Sequence, residues 1–231
     1  MIIWHGIPSI EVPVVVEHPP GRRVPMRKME VVSVPGKNYD LLITQDAYQN
    51  VSQFYTIHIP PNRPRLDIAI RNVTDWLCVP GYNRLEDSYE PDIYRMAYFK
   101  GPLDIENILN KAGRANIEFI CRPERWLKVG ELPIYMYIAG EIHNPTDKTA
   151  KPLITVSGSG SGTLTIGDYT ISMTDCNGVV LDSEEEDAYR GSANMNSTVS
   201  GDFPLIESGL IPVSWTGGVT GVVIVPRWWM I

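Results

Sequence analysis

The sequence predicts a mainly β protein in two parts, an α+β first half followed by an antiparallel β-sandwich. Three observations carry that prediction. Apolar and polar residues alternate in many short runs, and 19 glycines and 19 prolines supply the turns between them. Helical spacing occurs at two places, both before residue 113. Charge is divided as well: residues 1–140 hold 16 basic and 16 acidic side chains, whereas residues 141–231 hold 4 and 11. The formal charge of −7 therefore lies beyond residue 140, and the expected domains are 1–140 and 141–231.

In chain order, Glu11 to Val16 and Met29 to Val34 read as valine-rich strands. Arg22, Arg23, Arg27 and Lys28 put a basic patch on the loop between them, either solvated or facing an acidic neighbour in an assembly. Val34-Pro35-Gly36-Lys37-Asn38 is a turn, because proline presets φ and glycine accepts the positive φ that follows. Phe54 to Ile59 alternates, with Tyr55, Ile57 and Ile59 on one face and His58 on the other. Leu66 to Leu77 has helical spacing, and Cys78-Val79-Pro80-Gly81 ends it. Tyr94, Tyr98 and Phe99 lack the basic residues of a stacking platform and read as core. Leu103 to Ala112 has the clearest helical pattern, with Pro102 suited to the first turn and Gly113 to the cap. Ala115 to Ile120 and Leu132 to Ala139 follow as strands, the second alternating Ile134, Met136 and Ile138 against Tyr135 and Tyr137.

Asn144-Pro145, Asp147-Lys148-Thr149 and Lys151-Pro152 mark a linker. Leu153 to Val156 and Thr163 to Ile166 then read as the two strands of a hairpin joined by Ser157-Gly158-Ser159-Gly160-Ser161-Gly162. That glycine-serine run is neither a dinucleotide loop, since its third glycine comes one place early, nor a hydrolase elbow, since residue 160 is glycine. Asp168 to Thr174, Gly178 to Asp182, Leu210 to Trp215 and Gly221 to Val225 complete the strands. Turns fall at Cys176-Asn177-Gly178 and Thr216-Gly217-Gly218, the spacing of a sandwich.

Composition narrows the function. No apolar run approaches the ~20 residues of a membrane span, and the N-terminus lacks a signal-peptide pattern, so a soluble product that stays where it is made is expected. Neither half has a basic stripe for nucleic acid. Cys78, Cys121 and Cys176 lack paired spacing and read as reduced and buried. His5, His18, His58 and His143 lie in separate elements, and Asp182-Ser183-Glu184-Glu185-Glu186-Asp187 lacks the spacing and glycine of a calcium loop. No nucleophile has an identifiable base, so no catalytic, cofactor-binding or metal residue is expected. Arg122, Arg125 and Trp126 form a basic and aromatic group after a strand. They suit either arginine held by Trp126 or Glu124 at a domain edge, or a subunit interface. Trp215, Trp228 and Trp229 are the aromatics that could stack on a sugar in a carbohydrate-binding module.

The chain resembles the siphophage distal tail protein family, known as Dit. In the first half the resemblance is carried by Val34 to Asn38, Asp75-Trp76-Leu77 to Arg84-Leu85, Tyr94 and Phe119-Ile120-Cys121-Arg122-Pro123. In the second it is carried by Asn144-Pro145-Thr146, Lys151 to Ile154, Gly158-Ser159-Gly160, Leu164-Thr165-Ile166, Phe203-Pro204, Gly209, Trp215-Thr216-Gly217 and Pro226-Arg227-Trp228. The order of these pieces over two domains is what matches. The resemblance implies a non-enzymatic virion protein whose first domain forms a ring, usually a homo-hexamer, and whose second is a galectin-like sandwich. Implied partners are the tail tube protein, the tail tip protein and a receptor-binding protein, with cell-surface glycan as a further candidate. The product would be made in the host cytoplasm and carried at the phage tail tip.

Overall fold

The structure, a computed structural model, describes residues 1–17, 20–61, 65–103, 105–108 and 112–231. It is mainly β and divides into two compact units, Met1–Arg125 with Ile231 and Trp126–Met230. The expected border at 140/141 thus lies inside the second unit. Charge still steps at the observed border: residues 1–125 hold 15 basic and 15 acidic side chains, and residues 126–230 hold 5 and 12.

The first unit contains β1 (Ile2–Trp4), β2 (Ile7–Pro8), β3 (Val15–Val16), β4 (Arg27–Ser33), β5 (Asp40–Tyr48) and β6 (Val51–Ile59). It continues through helix α1 (Leu66–Leu77), β7 (Asn83–Asp87), β8 (Ile93–Phe99), β9 (Glu106–Ile108) and β10 (Ala112–Leu127), whose last two residues enter the second unit. The main sheet runs β2-β1-β7-β8-β10-β6-β3, with β9 also paired to β10. β6 lies antiparallel to β10 with Tyr55 opposite Ile117 and Ile57 opposite Ala115, so all four side chains enter one core. Trp4 and Phe119 meet there with ring centroids 4.7 Å apart. α1 covers that core because Ala69, Val73, Trp76 and Leu77 fall on one stripe at spacings of four, three and one. Trp76 Nε1 donates to the Ile7 carbonyl at 3.2 Å, which satisfies the buried indole.

Several expectations for this unit change. The described part of the expected helix Leu103–Ala112 is a hairpin strand, β9, paired with β10 through Ala112–Ile108 and Arg114–Glu106; residues 104 and 109–111 lie outside the described residues. Gly113 is not a helix cap. It lies in β10, where Ile105 passes so close that a Cβ would sit 2.8 Å from Ile105 Cγ2. Glu11–Val16 is mostly turn, with only Val15–Val16 extended. Of the cysteines, Cys121 and Cys176 are buried and Cys78 is exposed. Burial pushes the Cys121 thiol up to about 12.

The second unit contains β11 (Ile134–Met136), β12 (Gly140–Asn144), β13 (Leu153–Ile166), β14 (Tyr169–Met173) and β15 (Val179–Asp182). β16 (Asp187–Arg190), β17 (Ala193–Asn194), β18 (Val199–Gly201), β19 (Gly209–Val225) and β20 (Trp229–Met230) follow. The expected hairpin at the glycine-serine run does not form. β13 is one 14-residue strand and β19 one 17-residue strand, antiparallel to each other over their length. Both bend at the same level, where the register shifts between Ser157 and Gly162. Before the bend β13 has β15 on its other side, and after it β14. Ile154 and Val156 from one arm and Leu164 and Ile166 from the other share a single core, so the bent sheet closes on itself as an antiparallel sandwich.

Glycine makes the bend possible by close approach rather than by looseness. A Cβ on Gly218 would collide with the Ser159 carbonyl, and one on Gly158 with the Gly218 carbonyl. Gly217 also has φ +71, a region that L side chains rarely adopt. The expected linker is likewise fixed. Asn144 is buried, and its Nδ2 donates to the Lys148 and Ile206 carbonyls at 2.9 and 3.0 Å. Its Oδ1 accepts from Thr146 N and Oγ1, so the Asn144-Pro145 turn is a pinned corner.

Candidate functional site

β4 and β5 form a two-stranded arm that belongs to neither large sheet. Pro35-Gly36 turns it, with Gly36 at φ +82 and the Lys37 N–H donating to the Val34 carbonyl at 3.1 Å. Residues directly opposite share a face. Met29, Val31 and Leu42 project on one side, and Val32, Leu41 and Ile43 on the other. Five of these six are exposed, Leu42 at 58% of its surface. A lone two-stranded ribbon with apolar side chains on both faces is marginal in water. Sequence reading found β4 and its turn but not β5. The available signal was the apolar run Leu41-Leu42-Ile43 directly after a Pro-Gly turn.

Three of the four residues of the basic patch, Arg22, Arg23 and Arg27, have partners within the chain. Arg23 lies 4.7 Å over the Phe54 ring, Arg27 lies 5.3 Å over Tyr48, and Arg22 Nε reaches to 3.7 Å from Glu90 Oε1. Glu90 is a hub for arginines: Arg125 Nη2 donates to its Oε1 at 2.5 Å and the buried Arg95 to its Oε2 at 3.1 Å. Asp87 fixes the same turn by accepting from the Tyr89 and Glu90 N–H groups at 2.8 and 2.9 Å. It also accepts from Tyr55 OH at 3.1 Å, and burial, reinforced by that carboxylate, pushes the Tyr55 phenol above its ordinary range. Burial lowers the Arg125 pKa, outweighing the support of Glu90 for the charged form.

Arg122, Arg125 and Trp126 therefore have separate surroundings. Arg122 stacks 4.7 Å over Tyr82, whose ring meets Tyr98 edge-on at 5.3 Å. Arg125 belongs to the Glu90 cluster. Trp126 lies in the second unit, tilted against Trp229 with centroids 6.5 Å apart. Sequence spacing suggested Trp126 or Glu124 as the arginines' partners, whereas folding supplies Tyr82 and Glu90 from far along the chain.

The tryptophans suggested for glycan stacking are largely spoken for. Trp228 is 3% exposed, which leaves its ring no open face for a sugar. Trp215 is opposite the buried Leu164 and packs on the same core. Trp229 Nε1 donates to the Thr149 carbonyl at 2.9 Å. One concavity of this unit lies away from them. A groove of about 390 Å³ runs where β13, β14, β18 and β19 meet, and Ser161, Thr163, Ser172, Thr174, Ser200 and Thr216 line it with hydroxyls. No charged or aromatic residue lines it.

The acidic turn is held from within. Asp182 accepts from Arg227 Nη1 and Nη2 at 2.6 and 3.0 Å, a bidentate pair. Burial works to raise the Asp182 carboxyl, but Arg227 and the Glu184 N–H outweigh it and hold the carboxyl below its usual range. Asp187 accepts from Asn196 Nδ2 at 2.6 Å. Among the described residues no group of three or more His, Cys, Asp or Glu side chains is placed to hold a metal ion, and no helix is long and apolar enough to cross a membrane. His18 lies outside the described residues.

No protein-family model matches the chain, and no curated protein matches it in sequence. Its fold is matched among solved structures by the crystal structure of the SPP1 Dit (gp 19.1) protein, described as a paradigm of hub adsorption apparatus in Gram-positive infecting phages. The TM-score is 0.77 at 12% identity, over 100% of this chain and 98% of that one. The match therefore extends over the residues of both units, and the fold is like that of SPP1 Dit.

Proposed function

We propose that the chain is a structural virion protein, a distal tail hub that forms a hexameric ring joining the phage tail tube to the tail tip or baseplate. The observation that carries this reading is the end-to-end match to a hub adsorption protein across both units. The first unit serves assembly. It has no net charge to oppose packing against copies of itself, and its β4–β5 arm offers apolar side chains that its own core leaves uncovered. The galectin-like second unit, which carries the charge of −7, remains solvated and docks receptor-binding proteins. The hub is made in the host cytoplasm and carried on the virion.

Light scattering of the full-length protein over a range of concentrations, with negative-stain imaging of the same fractions, tests this. A six-fold mass and ring-shaped particles are expected, alone or after addition of a tail-tube or tip protein. A strict monomer under all of these conditions counts against the hub.

The second reading is a carbohydrate-binding module attaching a virion or enzyme to host cell-wall glycan. The uncharged, hydroxyl-lined groove favours it, since hydroxyls can exchange hydrogen bonds with a polyol. A glycan array without a binder discards that reading and leaves the hub untouched.

A further inference from the structure

Two short strands, β11 and β12, lie on the free edge of the second unit's sheet, separated by a bend at Tyr137 and Ile138. Ile134 to Met136 pair with Ile224 to Val222, and Gly140 to Asn144 pair with Val213 to Gly209, so both strands lie along the same side of β19. No described strand pairs with their other side. Ile134 and Met136 turn inward to the core, while Tyr135, Tyr137 and Ile138 face out, the last two 74% and 80% exposed. Gly221 presses this edge into place: a Cβ there would sit 2.9 Å from the Met136 carbonyl oxygen.

Such an edge is normally blunted by lysine, proline or a bulge, because its unpaired N–H and C=O groups can template another strand. Here the edge is interrupted only by the bend after Met136: residues 134–139 read Ile-Tyr-Met-Tyr-Ile-Ala, without charge or proline and rich in β-formers. The unit it belongs to is acidic. Glu141 continues the edge on an exposed site, and the unit it borders carries 12 acidic against 5 basic side chains. Two copies joined edge to edge would bring two such units together, whereas a basic segment would be drawn in.

We infer that the edge from Ile134 to Asn144 is a strand-addition site whose occupant is an extended segment of another protein, apolar at alternate positions and basic at its flanks. Main-chain hydrogen bonds to the edge supply affinity, Tyr135 and Tyr137 pack against the alternate side chains, and the acidic unit selects the flanks. The inference holds whether or not the copies form a ring, so its failure and that of the hub are separable.

The test titrates the full-length protein with a short synthetic peptide that alternates valine and threonine between terminal lysines. Calorimetry follows binding and amide hydrogen exchange locates it. Protection is expected at residues 134–141. A glutamate-flanked peptide binds about tenfold more weakly, and so does Tyr137→Lys with an unchanged melting temperature. The peptide N-methylated at alternate amides does not bind. No binding of the lysine-flanked peptide, equal binding of its N-methylated form, or protection confined to other strands overturns the inference. Self-association of the protein alone that Tyr137→Lys abolishes would make a second copy the occupant, and overturns it too.

Discussion

The β13–β19 pair and the β4–β5 arm are both long antiparallel ribbons, yet one is the spine of a core and the other stands without one. Along β13, every second residue from Ile154 to Val156 and from Gly162 to Ile166 is buried, because the bend brings the two halves of the strand over a shared interior. Along β4 no residue is buried, although its partner strand supplies hydrogen bonds along the ribbon. Pairing satisfies the backbone in both ribbons, but only closure of a sheet covers apolar side chains. In the arm, the described residues leave those side chains uncovered.

The contrast breaks most severely at Gly218. Its alanine variant puts a methyl group into the Ser159 carbonyl and should destabilise the second unit by about 3 kcal/mol or more, read from its denaturant transition. Gly21→Ala, with open space around it, should stay within about 0.5 kcal/mol. Stability that resists Gly218→Ala would mean that the bend is looser than its geometry.

A smaller effect is expected at Asp182, where β15 flanks the spine. Asp182→Asn should cost about 2 kcal/mol at neutral pH by loosening the Arg227 pair. The folded carboxyl titrates below its ordinary value near 3.8. Its contribution is therefore complete above about pH 4 and is lost as pH falls through the lower, folded value. Denaturation midpoints taken from pH 7 to pH 3 should fall in the native protein and flatten in the variant.

The smallest change in stability, and the sharpest separation, belongs to the arm. Leu42→Ser with Ile43→Ser should alter the first unit's stability by no more than about 0.5 kcal/mol, since both side chains are already in water. The same variant should abolish the higher-mass species in light scattering. A large loss of stability with assembly intact would place the arm among the covered elements.

Helix α1 was legible in sequence to the residue, because its buried stripe and the Pro80-Gly81 stop are local features. So was the inward face of β6, where Tyr55, Ile57 and Ile59 alternate. The expected helix at Leu103–Ala112 failed because spacing does not report a neighbour, and β10 was there to pair with β9. The glycine-serine run failed for a related reason. Glycine placed for a loose loop and glycine placed so that two backbones can touch are the same letter, and only β19 on the far side of the bend distinguishes them. Candidate site residues were harder still. Arg125 finds Glu90 across 35 positions and Arg122 finds Tyr82 across the sheet, pairings that no local pattern contains.

The glycine bend also bears on how such chains diverge. Gly158 and Gly162 on one strand face Gly218 and Val219 on the other, so a side chain gained on either strand must be accommodated by backbone on its partner. Drift at one set calls for compensation at the other, some sixty residues away. Lineages of this fold should therefore keep or lose the two glycine sets together. Their paired spacing offers a means of recognising remote kin when overall identity has faded.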